Sequence, residues 1–356
     1  MTNKLKVVLL SIVSLAIAVS VVVVFFGYQT LKTSVSTDKT EVLFDVAPGT
    51  NMAQVASDLE NRNLIRNGRI FLFYARLQKM NSKIKVGEYS LNKAMTPDEI
   101  MSVIISGKSV ARNFTVAEGL NMFDVADILQ QSGFGPKEEY LSIMRDRVFI
   151  KSLLGEDLES LEGYLFPETY KITKFDTPKM VVTQMVKRFS SVWKELQPAI
   201  KESKWTRNQI VTFASIVEKE TGAGFERPIV SSVFHNRLVR KMKLQTDPTV
   251  LYGKAVQLGQ MPKNISKLDL MTPTRYNSYT NFGLPPTPIS NPGREAILAT
   301  LKPATSKYLF FVSQNNGTHV FSETYQQHNK AVQSFQVNSK AREGKSWRDL
   351  KKKTTN

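Results

Sequence analysis

The sequence predicts an α+β protein carried behind one long apolar helix. Three observations predict it. Residues 7–28, VVLLSIVSLAIAVSVVVVFFGY, contain no charge. A strand–turn–helix pattern occurs twice, at 44–59 and at 114–129. From about residue 150, segments of helical periodicity alternate with loops rich in Pro, Gly, Asn and Tyr, and two short β-prone runs follow them.

The apolar stretch comes first along the chain. At about 1.5 Å per residue it spans a hydrocarbon layer of roughly 30 Å. A cleaved signal peptide has a shorter core, about 7 to 15 residues, and then a small-residue cleavage site. Here the core runs through bulky VVVVFF before the polar QTLKTSVSTDKT. The expectation is an uncleaved anchor at 7–28, a cytoplasmic tail at 1–6 and a linker at 29–40. Lys4 and Lys6 favour an inside N-terminus, although Lys32 and Lys39 flank the other side and weaken the asymmetry.

The 356 residues carry 48 Lys+Arg against 31 Asp+Glu, a net charge of +17. Such an excess suits an anionic partner. An extracytoplasmic position argues against nucleic acid, as does the lack of a Gly-rich or zinc motif in context. With no cysteine, disulfides, thiolate metal sites and Cys nucleophiles are excluded. Three histidines, His235, His319 and His328, make a multi-His metal site a poor expectation, and no cofactor is called for.

The repeat aligns FDVAPGTNMAQVASDL with FTVAEGLNMFDVADIL without gaps, sharing nine of sixteen residues. Met52, Val55, Ala56 and Leu59 fall at i, i+3, i+4 and i+7, one buried stripe, and the second copy repeats the spacing. Between the copies, GRIFLFYARLQKM reads as a helix, VGEYSL as a strand, and TPDEIMSVIISG as a helix ended by Gly107. Strand, helix, helix, strand resembles a LysM module, so a LysM-like lobe is expected over 41–150. Helices follow at 178–195 and 206–221. The loop MTPTRYNSYTNFGLPPTPISNPGREA has little periodicity, and its composition favours order. KYLFFVS and HVFS read as a hairpin about Asn316-Gly317. A basic tail is expected at 340–356.

The helix TRNQIVTFASIVEKETG carries two glutamates. Thr206 and Gln209 have capping-box spacing, and Gly222 suits a left-handed stop. Ile210, Phe213, Ala214, Val217 and Thr221 make one apolar face. Glu218 lies at one edge of it, Glu220 at the other, and Lys219 points away. Partial burial and the negative helix end both disfavour a carboxylate at Glu218, the direction a general acid requires. Periodicity alone leaves both glutamates equally open to a solvated role.

ASIVEKETG, VFHNRL, LQTDPTVLYG, SLEGYLFPETY, YNSYTNFGLPPTPISNPG and FSETYQQHN, spread over residues 40–335, resemble the MltG (YceG-like) family of endolytic murein transglycosylases. The resemblance implies a catalytic domain over 151–339 and carries the catalytic role to Glu218. It also implies a bacterial inner-membrane enzyme facing the periplasm. That enzyme cleaves the β-1,4 bond between N-acetylmuramic acid and N-acetylglucosamine, and peptidoglycan synthases are suggested as partners. Tyr164, Tyr170, Asn236, Gln245, Asp247, Tyr252, Tyr279 and Asn281 lie in the family motifs and are the expected sugar-contacting residues. Gln327 departs from an acidic residue expected before the His-Asn pair. A hydrolase of the same bond remains open, with Asp247, Glu168 or Glu323 as its second acid. So does a non-catalytic anchored glycan-binding scaffold.

Overall fold

The structure is a computed structural model describing residues 3–337, so the expected basic tail lies outside the described residues. Helix α1 (Asn3–Lys32) contains the apolar stretch and continues past it. The expected linker therefore begins as helix. Its last turn is fixed by packing and charge: Leu31 is buried, and Lys32 Nζ donates to Asp98 at 2.9 Å.

Packing divides the chain into two compact units, one of residues up to Arg112 with Lys171–Asp176, the other of Asn113–Tyr170 with residues from Thr177 on. The first contains, after α1, β1 (Val42–Val46), α2 (Met52–Asn61), α3 (Gly68–Leu77), β2 (Gly87–Leu91) and α4 (Pro97–Ser106). β1 and β2 pair antiparallel with Phe44 opposite Tyr89. Those two rings, Leu59, Phe71 and Ile100 form the centre of one core. Thr96 caps α4 in a reciprocal box with Glu99, and Gly107 ends it at φ 71°, where a Cβ would be strained.

β3 (Ala111–Thr115) leads into the second copy of the repeat, α5 (Met122–Gln131). The two copies match in detail. Gly49 and Gly119 both adopt positive φ, and Asn51 and Asn121 both cap their helices in reciprocal boxes, with Gln54 and Asp124. Yet the stripe of α2 belongs to the first unit and that of α5 to the second. Compactness thus breaks the chain near residue 112, ahead of the position 150 expected from sequence.

The second unit continues through α6 (Lys137–Met144), α7 (Arg147–Leu154), α8 (Pro178–Glu195) and α9 (Gln197–Ile200), and the strand β4 (Thr169–Thr173) between α7 and α8 belongs to the first unit from Lys171 on. β3 pairs with β4. Then come α10 (Arg207–Glu220), α11 (Arg227–Val239), α12 (Asp247–Leu258), α13 (Lys267–Met271) and α14 (Arg294–Leu301). The hairpin β5 (Phe310–Ser313) and β6 (His319–Ser322) precedes α15 (Tyr325–Val332), where Gln327 closes a capping box with Thr324. An amide serves that box as well as an acid does.

α10 differs from the amphipathic helix expected. Every residue from Ile210 to Glu218 is buried, because α11, α12 and α14 all pack against it. Ser215 fits inside because its hydroxyl donates to Thr212 O (2.7 Å) and accepts from Ile289 N–H (3.0 Å). The helix stops at Glu220 with Thr221 extended, its hydroxyl capping Val217 O, and Gly222 takes no left-handed conformation.

Leu59 has no exposed surface. Leu59→Ala is expected to cost roughly 2–5 kcal/mol. Hydrogen exchange in the intact protein should speed over 42–106 and leave α10 protected if the units open separately; equal acceleration in both would show one cooperative body.

Candidate active site

Glu218 sits in the last turn of α10 with its side chain 5% exposed. Its Oε1 accepts from Arg227 Nη2 at 2.9 Å, and its Oε2 accepts from Gly293 N–H at 3.0 Å. Arg227 opens α11, one short 3-10 turn (Gly224–Glu226) beyond α10. Gly293 is the N-cap of α14. A Cβ there would lie 2.0 Å from Glu118 Oε1, so a larger residue would displace the Glu118 side chain from this place.

The loop that delivers Gly293 is fixed by buried hydrogen bonds. Ser290 Oγ donates to Ser215 O at 3.2 Å. Asn291, fully buried, accepts from Gly163 N–H and Leu165 N–H on one oxygen, both at 3.0 Å. Its amide nitrogen donates to Leu120 O at 2.8 Å, and its backbone exchanges bonds with Gly119 and Leu120. The Pro-Asn loop, the EGYLF loop and the corner of the second repeat are thereby locked to one another.

That corner supplies a second carboxylate. Glu118 Oε2 accepts from the same Nη2 of Arg227 at 2.9 Å, so one guanidinium nitrogen separates the two acids. Glu118 is 47% exposed where Glu218 is buried. Lys219 does not simply point away: its Nζ donates to Gly119 O at 3.1 Å. Arg227 Nε is buried without a hydrogen-bond partner among the described residues. Sequence reasoning missed Glu118, Arg227 and Asn291. For Glu118 a signal existed, because it stands where the first copy has Pro48 inside an otherwise matching corner.

Glu220 faces elsewhere. It accepts the Thr246 hydroxyl, and burial pushes its carboxyl above the usual range. It lines a cavity of 410 Å³ with Arg237, Gln245, Asp247, Tyr279 and Phe310. Three of the expected sugar-contacting residues thus come together here. Tyr279 OH donates to Asp247 Oδ1 at 2.6 Å, and burial together with that carboxylate raises its phenol. Gln245 takes a left-handed φ of 50°. Asn281 stays outside, donating to Thr274 O at 2.6 Å.

The other four expected residues are placed differently. Tyr164 is buried edge-on to Phe189, Tyr170 donates to Phe166 O, and Tyr252 is packed between Phe123 and Tyr276. Each ring is in the core, with no face open for a sugar. Asn236 gives its amide hydrogens to Ser306 O (2.9 Å) and Tyr308 O (3.0 Å), which leaves neither for a ligand. Nor do the three acids considered for a hydrolase share a partner with Glu218. Glu168 pairs with Arg188, Asp247 with Tyr279, and Glu323 is exposed.

Residues 44–334 match the YceG-like family. The chain is 32% identical to the endolytic murein transglycosylase of Bacillus subtilis, over 87% of this chain and 89% of that one. It is 29% identical to the endolytic murein transglycosylase of Streptococcus pneumoniae, over 89% of this chain and 63% of the longer relative. A crystal structure of a YceG-like protein of Listeria monocytogenes superposes with a TM-score of 0.57 at 32% identity, covering 82% of this chain and 99% of that chain.

Behind the site, Glu162 is fully buried, accepts Met122 N–H at 2.9 Å and faces Tyr252. Burial pushes its carboxyl up to about 8. The folded protein therefore holds a proton that the unfolded chain releases above about 4.5. Stability falls as pH rises through that window. Glu162→Gln is expected to remove up to about 1.4 kcal/mol of loss per pH unit, read from urea denaturation between pH 5 and 8. Parallel curves for the two proteins would reject the buried neutral acid.

Proposed function

Because this chain is a member of the YceG-like family, we propose that it is a membrane-anchored lytic transglycosylase of peptidoglycan with Glu218 as its single acid and base. The observation that carries this reading is the Glu218 carboxylate, gripped by Gly293 N–H and Arg227 beside a buried guanidinium N–H with no partner among the described residues. An unpaired buried donor costs stability unless a ligand oxygen completes it.

Glu218 protonates the glycosidic oxygen between N-acetylmuramic acid and N-acetylglucosamine. The oxygen leaves, and the sugar's acetamido group stabilises the cationic C1. The carboxylate then takes the proton of the C6 hydroxyl, whose oxygen bonds to C1. The products are a 1,6-anhydromuramic end and a free N-acetylglucosamine hydroxyl, with no water consumed. Glu118 gives Arg227 a second anionic partner, so the guanidinium stays paired while Glu218 carries the proton. The open cavity lined by Asp247, Gln245 and Tyr279 supplies hydroxyl-binding groups for the glycan.

α1 anchors the protein with its N-terminus inside and the catalytic unit on the wall side, where cutting within strands limits their length. The strand–helix–helix–strand order of β1, α2, α3 and β2 supports a LysM-like reading of the first unit.

Digestion of purified peptidoglycan followed by mass spectrometry tests the chemistry. Wild type is expected to leave anhydromuramic ends, and Glu218→Gln to lower the rate by about 10²–10⁴-fold. Reducing ends, heavier by one water, would instead assign a hydrolase with Glu118 as the water-activating base.

Glu118→Gln leaves Arg227 to Glu218 alone, and the rate of anhydromuramic-end formation is expected to fall roughly tenfold, a loss of about 1.4 kcal/mol. An unchanged rate would reduce Glu118 to a structural role.

A further inference from the structure

The first unit presents a surface that none of this chemistry uses. On α3, Phe73 and Leu77 are 69% and 68% exposed, far more than an apolar side chain needs for folding. Arg69 and Arg76 lie on the same side of the helix, exposed and with no ion-pair partner among the described residues. At 100° per residue these four side chains fall within about 100° of one another. Arg66 and Lys79 extend the positive charge beyond both helix ends.

The end of the apolar helix fixes where this face stands. α1 packs against α3 and α4. Asp98 of α4 accepts from Lys32 Nζ and from Tyr74 OH of α3, both at 2.9 Å. Arg66 Nη2 reaches back to Ser34 O, also at 2.9 Å. Tyr74 therefore marks the side of α3 that touches the membrane exit. Around the helix, Leu77 follows about 60° from Tyr74, Phe73 about 100°, and the arginines further on. Apolar residues nearest the anchor with cations beyond them match the gradient from acyl chain to headgroup.

We propose that this face of α3 rests in the headgroup region of anionic phospholipid, with Phe73 and Leu77 inserted and Arg69 and Arg76 on the phosphates. The proposal rests on reading α1 as membrane-spanning. Lipid contact would add a second attachment to the single helix and hold the first unit against the bilayer.

The chain has no cysteine, so one introduced cysteine can be labelled uniquely in the full-length protein. Nitroxide labels at Leu77→Cys, Phe73→Cys, Ser57→Cys and Val13→Cys are compared in phosphatidylglycerol vesicles. Collision with oxygen reports lipid, and collision with a water-soluble nickel chelate reports water. Positions 73 and 77 are expected to show a several-fold higher oxygen-to-nickel ratio than position 57, approaching position 13. Arg69→Gln with Arg76→Gln, or vesicles of phosphatidylcholine alone, should lower that ratio at 77 and leave it unchanged at 13. A water-like ratio at 73 and 77 beside a lipid-like one at 13 overturns the proposal while the anchor stands. A water-like ratio at 13 overturns the anchor and the proposal together. A ratio at 77 indifferent to headgroup charge overturns the anionic preference.

Discussion

The site depends on one side-chain amide, that of Asn291. It is wholly buried, and its oxygen and nitrogen each close a gap between loops distant in sequence. Asparagine suits this position because it offers acceptor and donor in one short plane. A carboxylate would lack the donor toward Leu120 O, and an apolar residue would leave Gly163 and Leu165 N–H groups unsatisfied in the interior. Two residues on, Gly293 turns its N–H to Glu218, so the aim of that N–H is inherited from the Asn291 network. Glu218 is held by backbone whose position is itself overdetermined, as the acid–base role proposed for it requires.

α10 makes the same point from the other side. Packed by helices on several sides, it has little freedom to rotate or slide, and its last turn projects Glu218 and Glu220 in opposite directions. One carboxylate meets a guanidinium and a backbone N–H. The other meets a threonine hydroxyl in a cavity wall. Identical side chains two residues apart thus acquire different electrostatic surroundings from helical geometry alone.

Local codes were legible in the sequence and distant ones were not. The span of α8, the capping box of α10, the Gly107 stop and the turn at Gly317 all follow from residues within a few positions of each other. Glu218 was legible as well, but only as a residue at the boundary between interior and solvent. Arg227 comes to it across 9 residues of chain and Glu118 reaches that same guanidinium across 109, and only the mismatch with Pro48 in the repeat marks Glu118 locally. The tyrosines misled for a related reason. An aromatic ring in a family motif is equally suited to a sugar and to a core, and only the tertiary structure shows Tyr164 and Tyr252 enclosed. The full burial of α10 escaped because Thr212 and Ser215 look like a solvated face, and Ser215 is accommodated only by partners that the sequence does not show, Thr212 O and Ile289 N–H.

The repeated corner offers a wider lesson. In both copies an Ala carbonyl accepts an N–H three residues on, the glycine takes positive φ, and an asparagine starts the helix. Between that alanine and that glycine stands Pro48 in one copy and Glu118 in the other. The geometry of the turn does not depend on which side chain occupies this position. A duplicated scaffold therefore contains a vacancy for chemistry: one copy can acquire a reactive group at a preset point in space while its twin preserves the fold from which the position was copied.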